Sequence, residues 1–148
     1  MKRLFLVDDD PDQCILVTKV FNEIAPEMEV ECIGSGEKLL ERLQSRFLFP
    51  QLILLDFQMD VKNGIEVLRE LKQDEDFRQI PVIMFSGSPK PEIVSECYNL
   101  NAHSFIRKPG DYEELLKVSQ TIRYLLQTKF KIEPIKKKRP KTKGTMIT

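Results

Sequence analysis

Histidine is almost missing from this chain of 148 residues, since His103 is the only one. A metal centre built on several histidines is therefore excluded. Cysteine is scarce and odd in number. Cys14, Cys32 and Cys97 stand far apart, which argues against a disulfide framework or a zinc site and for an ordinary reduced protein. No apolar run approaches the length of a membrane span, and the longest, at residues 52–55 and 82–85, suit buried strands. Met1-Lys2-Arg3, followed by a short apolar stretch and then acids, is not a secretory signal. Internal repeats are lacking too. The expectation is a cytoplasmic globular protein with no membrane attachment.

The charge of neither sign dominates overall, because 23 bases offset 23 acids. The balance hides an asymmetry. Residues 131–148 carry seven Lys/Arg against one acid (+6), and residues 1–130 carry sixteen against twenty-two (−6). A folded domain over 1–130 and a basic, disordered tail over 131–148 are expected, because the tail has almost nothing to bury. The run Lys136-Lys137-Lys138-Arg139 offers nonspecific phosphate affinity. Nucleic acid is nevertheless not the expected partner, since no helix-turn-helix or aromatic platform stands behind it.

What is present is alternation. Residues 4–7 read as a strand ending in acids, and Asp10-Pro11 as an N-cap with proline at the first helical position. Gln13 is placed to complete a capping box, and the helix has Ile15, Leu16, Val20, Phe21 and Ile24 for an inner side. Residues 30–33 form a second strand, and Ser35-Gly36 opens a helix with Leu39, Leu40 and Leu43. Residues 52–55 are apolar throughout, as expected of a central parallel strand covered on both faces. Asn63 with Glu66 repeats the capping pattern, and Pro81 leads into a fourth strand at 82–85. Pro91 begins a short helix, 104–106 form a fifth strand, and Asp111 with Glu114 caps a long last helix. Five strands alternating with five helices predict an α/β fold with a parallel sheet and ligands outside the carboxyl ends of the strands.

Those ends carry chemistry. The first strand runs into Asp8-Asp9, the third into Asp56, the fourth into Ser86, and the fifth into Lys108-Pro109. With Gly64 eight residues after Asp56, the Met84-Phe85-Ser86-Gly87 stretch and Ala102 to Phe105, the pattern over residues 2–130 resembles the response-regulator receiver domain. The resemblance implies a flavodoxin-like, doubly wound sheet of five strands in the order 2-1-3-4-5. It implies that Asp56 is the phosphoacceptor, with Mg²⁺ held by Asp9, Asp56 and the Gln58 backbone carbonyl, and by Asp8 through water. Crowded carboxylates repel one another, and a divalent cation relieves that repulsion. Lys108 would pair with Asp56 at rest and with phosphoryl oxygens afterwards, and Ser86 would donate its hydroxyl to the same oxygens. Ser86 and Phe105 would form the switch, acting on the fourth helix, fifth strand and fifth helix. Phe105 has no hydroxyl, so the switch would work by packing.

The resemblance also implies partners. A sensor histidine kinase or a histidine phosphotransfer protein would supply the phosphoryl group, and an unidentified downstream protein would read it. The stretch from Tyr98 to Phe105 and the long last helix are similar to small regulators of phytochrome-type sensors, and the last helix offers a homodimer surface. Asp60 departs from the pattern, which has proline four residues after the phosphoacceptor; Gln58 and Ser88 sit where hydrolysis is tuned. Two alternatives compete with a signalling module that is not an enzyme. A haloacid-dehalogenase-like phosphohydrolase would also use a Mg²⁺-assisted aspartate, with its nucleophile after the first strand. A nucleic-acid binder would act through the tail. Asp10 is expected to cap its helix instead of binding metal, and His103 to lie on the surface.

Overall fold

The computed structural model describes residues 2–87 and 89–128. Ser88 and the expected basic tail lie outside the described residues. The elements follow in order as β1 (Lys2–Val7), α1 (Pro11–Ile24), β2 (Met28–Ile33), α2 (Gly36–Gln44), β3 (Leu52–Asp56), α3 (Gly64–Gln73), β4 (Val82–Ser86), α4 (Pro91–Asn99), β5 (Ser104–Arg107) and α5 (Tyr112–Thr128). The strands form one parallel sheet in the order β2-β1-β3-β4-β5. This is the expected flavodoxin-like fold.

The period of two along the strands divides the core into two layers. Phe5, Val7, Ile53, Leu55, Val82 and Met84 pack with Leu39 and Leu43 of α2 and Val67, Leu68 and Leu71 of α3. Leu4, Leu6, Leu52, Leu54, Ile83 and Phe85 point the other way, onto Val17, Val20 and Phe21 of α1 and Leu115, Ile122 and Leu126 of α5. Each such side chain contributes roughly 1.5–3 kcal/mol of hydrophobic burial. The scaffold beneath the strand ends is therefore rigid.

Local chemistry sets where the helices start. Asp10 accepts from the Asp12 N–H and Pro11 occupies the first turn, so Asp10 is a cap, as expected. Ser35 accepts from the Lys38 N–H, and Asn63 and Glu66 close a full capping box. Asp111 accepts from the Glu114 N–H while Glu114 reaches back to the N–H of Gly110. Ile15 departs from expectation. It is 66% exposed, because two residues along a helix turn it some 200° away from Val17, which is buried.

The cysteines need a correction. Cys14 on α1 and Cys32 on β2 are joined by a disulfide, with Cα atoms 5.9 Å apart, while Cys97 is free and buried. Their separation of 18 residues does not reveal that the crossover from α1 to β2 brings them face to face. An odd count hid a pair and a core residue.

Candidate functional site

Parallel strands bring their carboxyl ends to one edge, and the four pairings carry Asp8, Asp56, Ser86 and Lys108 to it. Asp8, Asp9 and Asp56 each offer a carboxylate oxygen within 4.8 Å of the others. Asp8 and Asp56 are buried and Asp9 is exposed. Lys108 enters from the loop after β5, its Nζ 2.9 Å from Asp8 Oδ2 and 3.4 Å from Asp56 Oδ2. It is anchored by its backbone N–H, which donates to the Ser86 carbonyl. The lysine is thus shared between two acids, and leans on Asp8.

Burial, and then the charge of Asp8, push the Asp56 carboxyl up to about 6; Lys108 and the Gln58 N–H oppose the rise. Burial pulls the Lys108 ammonium down, but its bonds to Asp8 and Asp56 outweigh that and hold it above its ordinary value. Three carboxylates against one ammonium leave two uncompensated negative charges in a small space. Oxygen-only donors with that deficit suit a hard divalent cation. Ser86 Oγ adds a second sign of an incoming group, being fully buried with no hydrogen-bond partner among the described residues.

The loop after β3 is held close. The Gly64 N–H donates to the Phe57 carbonyl at 2.9 Å, and a Cβ on Gly64 would stand 2.5 Å from the Asp56 carbonyl oxygen. Glycine alone lets α3 start so near the acid. Gln58 donates its N–H to Asp56 Oδ1 at 3.2 Å. Asp60 lies in a cleft of about 250 Å³ with Asp9, Met59, Val61 and Lys62, beside the acidic cluster. Phe105 is half-buried, packed against the core layer beneath α3 and α4. His103 is exposed, as expected.

The response regulator receiver domain model matches residues 4–120. The chain belongs to that family. It is 30% identical over 126 residues to response regulator Rcp1 of Synechocystis sp., covering 82% of this chain and 86% of that one. The structure of the Mn²⁺-bound form of Rcp1 superimposes with a TM-score of 0.79, covering 86% of this chain and 96% of that one. The phosphorylated cyanobacterial phytochrome response regulator RcpA superimposes with a TM-score of 0.80 at 26% identity, covering 86% and 94%. The protein is therefore a signalling receiver of the two-component type, whose family works with histidine kinases, and its acidic triad is of the kind that forms receiver metal sites. The phosphohydrolase alternative is left without support.

One contact of Phe105 escapes sequence reasoning. The Phe105 backbone N–H, on the outer edge of β5, donates to the Tyr98 hydroxyl at 3.1 Å. The bond ties α4 to β5. Seven residues and a turn separate the pair, so no periodicity signals it.

Proposed function

We propose that this receiver accepts a phosphoryl group on the Asp56 carboxylate, from a sensor histidine kinase or a histidine phosphotransfer protein. The observation that carries the reading is a buried carboxylate beside a shared lysine and a buried, unpartnered hydroxyl. Asp9, Asp56 and the Gln58 backbone carbonyl would hold Mg²⁺, with Asp8 acting through water. When bound, the ion supplies positive charge that offsets the charge of the carboxylates and phosphoryl group. An Asp56 carboxylate oxygen attacks phosphorus in line, the bond to the donor nitrogen breaks, and the imidazole leaves. Lys108 moves its hydrogen bonds from the carboxylates to phosphoryl oxygens. Ser86 then gains the acceptor that its Oγ lacks.

Movement of Ser86 toward the phosphoryl group would free space that Phe105 fills, altering the surface formed by α4, β5 and α5. A downstream protein need only prefer one packing over the other. The likeness to RcpA favours a phytochrome-type sensor as the source, and α5 is the surface for a homodimer. The cytoplasm, where such kinases release their product, is the proposed location. Residues 1–130 are proposed as the receiver domain and 131–148 as a basic extension that is not needed for phosphorylation.

Intact mass spectrometry after incubation with Mg²⁺ and a small acyl phosphate tests the reading. One phosphoryl adduct is expected, lost in Asp56→Asn and on chelation of the metal. An adduct that survives the substitution, or none from any competent donor, would overturn it.

A further inference from the structure

The acidic site leaves the Cys14–Cys32 bond unexplained. Cys14 lies in the first turn of α1, and Cys32 is the penultimate residue of β2. α1 starts directly after the acidic loop, and the end of β2 runs beside the end of β1, which leads into that loop. The Asp8 N–H donates to the carbonyl of Ile33, one residue past Cys32, at 3.0 Å, and the Cys14 N–H reaches the carbonyl of Asp10 at 3.4 Å. The bond thus fastens the start of α1 to the end of β2 on either side of Asp8, Asp9 and Asp10.

It is also open to reagents. Cys32 is exposed, and a groove of about 520 Å³ runs beside Cys14 along Ile15, Thr18, Lys19, Asn22 and Glu23. Thr18 Oγ1 lies 3.7 Å from Cys32 Sγ, within reach to support a thiolate there. Lys19 and Glu23, both held against Tyr112, give the groove one charge of each sign. A small peptide thiol with carboxylates and an amine fits that pattern. Cys97, by contrast, is buried, and burial pushes its thiol up to about 11, so it stays inert.

We infer that Cys14 and Cys32 form a reversible thiol–disulfide exchange site for low-molecular-weight disulfides of the glutathione class, and that the bond orders the Asp8–Asp9 loop. In the forward direction the Cys32 thiolate attacks the small disulfide, forming a mixed disulfide and releasing one thiolate. The Cys14 thiolate then attacks Cys32 Sγ, and a second small thiolate leaves. Two protein protons end on the two released thiols, and the two electrons lost by the protein reduce the small disulfide. The effect on the loop rests on the metal-site reading above, whereas the exchange does not.

The test equilibrates the full-length protein in glutathione buffers from fully reduced to fully oxidised, quenches with an alkylating agent and reads intact mass, with circular dichroism in parallel. The pair is expected to reach half reduction in a mixed buffer while the fold persists. The reduced protein should be heavier by two hydrogens and take up alkyl groups at Cys14 and Cys32. Cys14→Ser should trap glutathione on Cys32 as a mixed disulfide. A bond that opens only when the protein unfolds, or thiols that stay free in excess oxidised glutathione, would overturn the exchange. Mg²⁺ titration of the two forms reads the loop effect: ordering the ligands in advance should tighten binding about threefold in the oxidised form. Equal affinities would overturn the loop effect alone. Loss of the Mg²⁺-dependent adduct on Asp56 would overturn the metal-site reading and leave the exchange measurement intact.

Discussion

Asp56 concentrates the cost of function in one side chain. Its carboxyl rises from an ordinary value of 3.8 to about 6 in the metal-free fold, first through burial and then through Asp8. A folded-state value above the unfolded one means stability that is present at low pH and lost as pH rises through about 6. At neutral pH that penalty is on the order of 2–3 kcal/mol, at 1.36 kcal/mol for each unit. Asp56→Asn keeps the shape and removes the charge, so it is expected to raise metal-free stability at pH 7 by about 1–3 kcal/mol. Urea unfolding of both proteins checks this, and the gain should vanish below pH 4. Protons and the cation compete for the same carboxylates. Mg²⁺ affinity is therefore expected to fall as pH drops from 7 through about 6, as isothermal titration at several pH values would show.

At the scale of elements, the helix starts decide where the acids stand. The α3 start sits against the β3 end because Gly64 has no Cβ, and a methyl there would press on the Asp56 carbonyl and the Phe57 Cα. Gly64→Ala is expected to cost about 1–3 kcal/mol, as overpacking does. It should also weaken Mg²⁺ binding, which a chemically neutral surface substitution would not do. Asp10→Ala removes the α1 cap, and thermal unfolding should record a loss of roughly 0.5–2 kcal/mol. If Asp10 were instead a metal ligand, Mg²⁺ affinity would collapse in that variant. Capping was legible in the sequence because a cap and its helix are neighbours in the chain. Ile15 shows the limit of such reading, since two residues along a helix, some 200°, separate it from the buried Val17. The Tyr98–Phe105 bond was beyond reach, because its geometry depends on how α4 packs beside β5.

For the whole molecule, a protein truncated after residue 130 is expected to match the full chain in unfolding midpoint and in yield of Mg²⁺-dependent phosphoryl adduct. A large loss in either would place part of the receiver beyond that boundary. The sequence by itself determined the alternation of five strands and five helices, and with it the carboxylates, hydroxyl and lysine at the strand ends. Those follow from periodicity, caps and strand ends, which are local properties. Only the tertiary structure decided how the charges share one another: Lys108 leans on Asp8, Ser86 finds no partner among the described residues, and burial lifts Asp56. It alone paired Cys14 with Cys32. Both outcomes depend on distances across the sheet, which a chain read in one dimension does not contain.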